Sequence, residues 1–247
     1  MTDHARVNTA STAYLAALFD HVRERGLAPA ALGADPAQLD REGRLSEAEC
    51  ATLFDRASDL LGDPDLGLHV GEGIRPGHYG VLGYVSMNCR TLGEALDQLR
   101  RYQALVLDIG GPSVHLAGAS CEFRWNPDIA EPLRQLAEFN LSALLTFTRW
   151  ISGIADPPLG LGFTFDAPSR LDEHHRIFGS PLAFGEAVYS LRIPADWLQR
   201  PLIQPDPAMR RMMLGLAEQQ MAALQRPAHA LGRVREAIAR QLGAGTP

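Results

Sequence analysis

The change of period near Val114 constrains this chain more than any other feature. Before it, apolar residues recur at helical spacing; from Val114 to Trp125 they alternate. Val114 and Leu116 flank His115, and after Gly118 the residues Cys121, Phe123 and Trp125 alternate with Glu122 and Arg124. Alternation on both sides of a glycine turn predicts an antiparallel hairpin. Helical spacing then returns, so the hairpin must pack against helices on both sides of it in the chain.

Helical stripes are clear. Tyr14, Leu15, Leu18, Phe19 and Val22 share a face of a helix over 11–25, ended by Gly26. Ser46 and Glu49 form a capping box before Leu53, Phe54, Ala57, Leu60 and Leu61, with Asp63-Pro64 as the stop. Thr91 and Glu94 form a second box, opening a helix with Leu92, Ala95, Leu96, Leu99 and Tyr102 inward. The glycine-rich stretch 66–89 between them predicts short, tightly packed helices. A long helix spans about 131–152, ended by Gly153. Leu161, Phe163 and Phe165 form a further strand, 169–178 a short helix, and Tyr189, Leu191 and Ile193 another strand. Asp206-Pro207 opens a last long helix. The expected class is α+β: a small, mainly antiparallel sheet of about four to five strands packed with flanking α-helices. Hairpins in place of crossovers argue against a doubly wound parallel sheet.

Several chemistries are excluded or unsupported. The chain has no lysine; all 23 basic residues are arginine. A lysine Schiff base to pyridoxal phosphate or a carbonyl substrate is therefore impossible, and a P-loop lacks its lysine. Gly77, Gly80 and Gly83 are spaced like a phosphate loop, but Arg75-Pro76 precedes them and no strand does; close backbone packing is the expected role. His174 and His175 are adjacent, so their side chains diverge by about 100° on a helix and cannot share a metal. No metal motif, serine elbow or catalytic residue stands out, and no cofactor is expected. Cys50, Cys89 and Cys121 are too few and too scattered for a disulfide framework and read as reduced, buried thiols. No apolar run is long enough to span a membrane and no signal segment opens the chain, so a cytoplasmic location without a membrane partner is expected.

Two features invite a ligand or a partner. In the 131–152 helix, Leu133, Leu136, Ala137, Leu141, Leu144, Thr148 and Ile151 form the expected inward face, with Gln135, Glu138, Ser142 and Arg149 opposite. Asn140 falls on the inward face, where an unpaired amide costs about 2–7 kcal/mol. Either a neighbouring carbonyl satisfies it or it contacts a ligand, with Tyr79, Tyr84, Tyr102, Phe123 and Trp125 as candidate aromatic walls. The last long helix carries Met209, Met212, Met213 and Leu216, a candidate dimer surface or ordinary core.

Charge divides the chain. Residues 210–247 hold six arginines against Glu218 and Glu236, a net of +4, which leaves −10 on residues 1–209 of a whole-chain −6. The acidic body would repel a phosphate backbone. Near the end, Leu231, Val234, Ile238 and Leu242 share a helical face, and Thr246-Pro247 reads as the start of another helix. A helix start at the last residue is expected of a piece of a longer protein.

The run Gly80-Val-Leu-Gly-Tyr through Thr91-Leu-Gly-Glu-Ala-Leu96 to Arg101-Tyr102 resembles the "G-x-L-G-Y … T-L-x-E-A-L … R-Y" core of the N-terminal effector-binding domain in one branch of AraC/XylS-type transcription regulators. Ile177-Phe-Gly-Ser-Pro-Leu-Ala-Phe-Gly185, followed by Asp196-Trp-Leu-Gln-Arg-Pro-Leu202, is similar to that branch's "F-G-x-P-x-x-F … L-x-x-P-L" stretch. The resemblance implies an arabinose-binding-like effector and dimerisation domain over 1–225. It also implies a linker and the first helix of a helix-turn-helix domain, otherwise missing, over 226–247. The implied partners are a small-molecule effector, a second copy in a homodimer, and DNA only through the missing domain. An apolar interior points to an amphiphilic or aromatic effector. A ligand-independent docking module, or an α+β enzyme built on His69, His78, Glu72 and Glu122, are the alternatives.

Overall fold

The computed structural model describes residues 8–34, 43–126 and 133–224. Strand β1 (Thr9–Ser11) leads into helix α1 (Thr12–Glu24), β2 (Arg44–Ser46) into α2 (Glu47–Leu61), and α3 (Leu66–Glu72) follows. A 3-10 turn, Pro76–Tyr79, enters α4 (Gly80–Met87), and α5 (Leu92–Tyr102) runs into β3 (Leu107–Asp108). Next come β4 (Ser113–Ala117), β5 (Ser120–Trp125), α6 (Arg134–Ser152), β6 (Gly160–Gly162), α7 (Asp172–Phe178), β7 (Leu182–Ala183) and β8 (Tyr189–Pro194). After a 3-10 turn at Ala195–Gln199, helix α8 covers 207–224 to the end of the described residues.

The main sheet has five strands in the order β4-β5-β8-β6-β7, antiparallel except for the β6–β7 pair. The hairpin predicted from alternation pairs Val114 with Phe123 and Leu116 with Cys121. Only β5 uses its alternation for burial, with Cys121 and Phe123 inward; β4 is an edge strand exposed throughout, Val114 and Leu116 included. A second sheet, β2-β1-β3, leaves no mark in the sequence pattern. Its strands are two or three residues long, too short to show a period. Thr9, Ala10 and Ser11 pair with Ser46, Leu45 and Arg44, so β2 joins the cap of α2 to the start of α1.

The capping signals are used in different ways. At Ser46 the box closes both ways: Glu49 N–H donates to Ser46 Oγ at 3.3 Å, and Ser46 N–H donates to Glu49 Oε2 at 2.8 Å. At Thr91 it closes one way. Glu94 N–H donates to Thr91 Oγ1, but the Glu94 carboxylate turns to Arg90, taking its backbone N–H at 3.0 Å and its guanidinium as well. Gly153 ends α6 as predicted, with a φ of 71° that only glycine adopts freely.

Helix α6 runs through the centre, and one expectation for it fails. The Gln135–Glu138–Ser142–Arg149 side is not a solvent face: Glu138 and Ser142 are fully buried. Helix α3 covers that side at backbone distance. A Cβ on Gly67 would stand 2.1 Å from the Gln135 carbonyl oxygen, and one on Gly71 2.5 Å from Ser142 Cβ. Two of the polar side chains, Gln135 and Ser142, find their partners through this approach. Gly67 N–H donates to Gln135 Oε1 at 2.6 Å, Gln135 Nε2 donates to Pro64 O at 2.8 Å, and Ser142 Oγ donates to Leu68 O at 2.9 Å. Gly67, Gly71 and Gly83 thus serve close packing, Gly83 lying against Pro76 O, whereas Gly77 and Gly80 do not: the nearest atom to a Cβ on Gly77 is 3.6 Å away, and Gly80 has open space around it but a φ of 55°. No described helix is long and apolar enough to cross a membrane.

Candidate functional site

A cavity of about 160 Å3 lies between the other side of α6, the inner face of the main sheet, α5 and the β1–β3 edge. Its wall is largely leucine: Leu96 and Leu99 from α5, Leu136, Leu141, Leu144 and Leu145 from α6. Phe123, Trp125, Leu191 and Ile193 come from the sheet and Trp197 from the turn after it. Apart from Leu145 and Trp197, these are positions that helical and strand spacing turn inward, so most of the apolar lining follows from the sequence pattern.

Polar groups enter at two levels. Tyr14, Tyr79 and Thr148 are buried at the floor, beside Asn140. The Tyr14 hydroxyl donates to Asn140 Oδ1 at 3.0 Å and also engages the Tyr79 hydroxyl. Tyr14 and Tyr79 stack obliquely, their ring centroids 5.4 Å apart, and Tyr79 leans on Phe147 at 4.8 Å. Burial pushes both phenols well above their ordinary pKa, so both stay protonated as donors. Nearer solvent stand Arg100, Gln103 and Asn126. Asn8 also lines the cavity; its Nδ2 donates to Glu47 Oε2 at 2.9 Å, while its buried Oδ1 has no partner among the described residues.

Of the six sequence candidates, the structure brings four together here: Tyr79, Phe123, Trp125 and Asn140. Tyr84 is 45% exposed, outside the cavity, because it lies on the solvent side of α4. Tyr102 is buried away from the cavity, with its hydroxyl 3.5 Å from Glu218 on α8. Sequence reasoning missed Tyr14, whose place on the α1 stripe looks like ordinary core. It also missed Trp197, which sits in an irregular turn with no period to expose it.

The titratable residues do not assemble into a second site. His78 accepts from Arg75 N–H and faces Asp20, while Glu122 pairs with Arg124 on the sheet. His69 lies between Asp63 at 2.7 Å and Glu173 at 3.1 Å, and Arg176 joins Glu173 to Glu72. Below them Glu138 Oε1 accepts from Arg134 at 2.7 Å and from His174 Nε2 at 2.9 Å, and Arg134 also reaches Asp65. These residues tie α3, α6 and α7 together and do not line the cavity. The three cysteines are free and buried; burial pushes the thiols of Cys50 and Cys89 up to about 12 and about 11. Among the described residues no group of histidines, cysteines and carboxylates has the arrangement of a metal site.

On α8, Met209, Met212 and Leu216 are exposed, Met212 at 68%, whereas Met213 packs on the core beside buried Ala217. The 226–247 segment assigned to a linker and a first helix lies outside the described residues.

The chain is 27% identical over 245 residues to the ornithine utilization regulator of Pseudomonas aeruginosa strain PAO1, an alignment covering 92% of this chain and 69% of that protein. The crystal structure of the transcriptional regulator CdpR from Pseudomonas aeruginosa has the same fold, with a TM-score of 0.61 at 19% identity over 83% of this chain. This chain spans 62% of the length of that structure. Residues 25–202, which include all of α2 to β8 and most of the cavity wall, match the family described as the arabinose-binding domain of AraC transcription regulator, N-terminal. With that match extending over most of its length, the chain belongs to the AraC family of transcription regulators, through their N-terminal domain.

Proposed function

We propose that this chain is the effector-binding and dimerisation module of a bacterial, cytoplasmic AraC-type regulator. It binds a small molecule in the cavity, pairs with a second copy, and sets the activity of a helix-turn-helix DNA-binding domain; it does not catalyse a reaction. On this reading 1–225 form the module and 226–247 a linker and the first helix of the DNA-binding unit. The acidic body keeps away from DNA.

The observation that carries the reading is the cavity itself. Protein interiors are close-packed, and a void of this size costs stability unless something fills it. Tyr79, Phe123, Trp125 and Asn140 are the proposed effector contacts. Helix α5 offers a route outward: Leu96, Leu99 and Arg100 face the cavity, while Glu94 stands 3.9 Å from Arg210 of α8 and Tyr102 reaches Glu218. A ligand that prefers one setting of α5 shifts the population of α8 arrangements by its differential affinity for the two.

The relative's name links it to ornithine utilisation. Ornithine is a poor match to this wall, because its ammonium groups and carboxylate would meet mostly leucine, and burying unpaired charge is expensive. Thermal-shift screening of the full chain against amino acids, carboxylates, fatty acids and neutral aromatics tests the proposal. A ligand at a hundredfold excess over its Kd adds about 2.7 kcal/mol and raises the melting temperature. If no class raises it, sensing gives way to the alternative of a ligand-independent docking module.

A further inference from the structure

We infer that the cavity selects a small uncharged ligand carrying a hydrogen-bond acceptor on an apolar body, with Asn140 Nδ2 as the donor and Tyr14 as the residue that orients it. This rests on the sensing role proposed above and adds the chemical class of the effector.

Size sets the first limit. About 160 Å3 is close to the ~150 Å3 apolar cavity that admits a benzene molecule, so one ring or a branched chain of equal bulk fits below the mouth. The leucine and aromatic wall supplies the affinity for such a body.

The hydrogen-bond inventory sets the second. An asparagine amide has one acceptor oxygen and one donor NH2. Asn140 Oδ1 is committed to the Tyr14 hydroxyl, and Nδ2 has no partner among the described residues. The Tyr14 bond also fixes which way the amide faces. What Asn140 has left to offer is therefore a donor, and the matching ligand group is a carbonyl, ester, ether or hydroxyl oxygen. A hydrocarbon would leave the donor unpaired once water is expelled.

Charge sets the third. Arg100 and Glu47 are the charged residues of the lining. Arg100 is half exposed and bonded to Asp97 at the surface, and Glu47 accepts from Asn8. Neither provides a counter-charge at the floor. The desolvation that keeps Tyr14 and Tyr79 protonated acts equally against a carboxylate placed beside them.

Acetophenone, benzoate and isopropylbenzene share a ring and match in size, but differ in carrying a neutral acceptor, an anion or no acceptor. Calorimetric titration of the full chain at neutral pH should show acetophenone binding at least about tenfold tighter than either of the others, the effect of one paired donor. Asn140→Leu should abolish the preference for acetophenone over isopropylbenzene while isopropylbenzene still binds. Tyr14→Phe, a smaller change should the leucine variant not fold, frees the amide to turn and should shrink the same ratio. A general loss of structure would weaken all compounds together and leave the ratio alone.

Tightest binding by benzoate overturns the inference. So does parity with isopropylbenzene, or a ratio that survives both substitutions. If none of the three binds, the ligand class is wrong, while sensing still stands or falls by the broad screen.

Discussion

Gly71 lies against Ser142 so closely that a Cβ on the glycine would stand 2.5 Å from that of the serine. This contact sets α3 on α6 at backbone distance and converts a polar helix face into interior. Ser142 Oγ then reaches Leu68 O at 2.9 Å, a bond that a larger residue in α3 would prevent.

The same approach at Gly67 gives a prediction whose sign depends on position. Replacing an exposed helical glycine with alanine stabilises by up to about 1 kcal/mol. Gly215 on α8 has nothing within 4 Å of its would-be Cβ, and Gly215→Ala should gain that amount. At Gly67 the new Cβ would meet the Gln135 carbonyl, backbone that cannot swing aside, so Gly67→Ala should lose about 1–3 kcal/mol. Urea denaturation of the two variants measures both. Equal stability for Gly67→Ala and the unaltered chain would mean that α3 can withdraw from α6 without cost.

Glu138 is fully buried and shared between Arg134 and His174. Removing one partner from a buried charge cluster leaves the others uncompensated, which costs about 3–5 kcal/mol. Glu138→Ala should fall in that range by equilibrium unfolding. Glu138→Gln keeps an acceptor for both partners and should lose less; a gln variant as damaged as the alanine one would show that charge, not the hydrogen bond, is what Arg134 and His174 require.

His69 supplies a pH dependence with a definite sign. Burial lowers its pKa, but hydrogen bonds to and charges on Asp63 and Glu173 outweigh burial, and the net shift is upward. Both ring nitrogens face carboxylates, which favours the imidazolium. The stabilisation is complete below the unfolded value of about 6.5 and fades as pH rises through the folded one. Glu173 works from the other side: Arg176 first, then His69, hold its carboxyl below the ordinary range, so its share is lost only on strong acidification. His21, pulled down chiefly by burial and then by Arg25, opposes the His69 trend, so variant and unaltered chain are compared at each pH. The stability lost by His69→Gln should be larger at pH 6 than at pH 9. A pH-independent difference would remove His69 from the set of charged residues holding α3 to α7.

Legibility in the sequence followed period. The β4–β5 hairpin, the stripe of α1, the caps at Ser46 and Thr91 and the end of α6 at Gly153 could all be read, because each rests on local spacing or a single backbone requirement. The β2-β1-β3 sheet could not, since strands of two or three residues have no period. The buried side of α6 is illegible for a different reason. Polar Ser142 looks solvated until Gly71 of α3 is known to lie on it, and Glu138 until His174 of α7 is known to reach it, and both pairings are set by tertiary packing. The cavity was half legible: Asn140 stood out as an amide among leucines, but its partner Tyr14 lies 126 positions away and carries no mark that separates it from core.

Helix α8 carries the last prediction. Met209, Met212 and Leu216 follow one another at three- and four-residue steps, share a face and are exposed, whereas Met213 packs inward. A second copy covering that face would bury thioether and aliphatic surface that single exposed apolar residues do not explain. Met212→Glu with Leu216→Glu should therefore leave the melting temperature of the protomer nearly unchanged and halve the mass in solution. Met213→Glu should do the reverse, lowering the melting temperature by placing a charge against the core beside Ala217. Light scattering over a concentration series, read alongside thermal unfolding, separates the two. A dimer that persists in the double variant moves the interface to another surface, and a protomeric unaltered chain at every concentration removes it altogether.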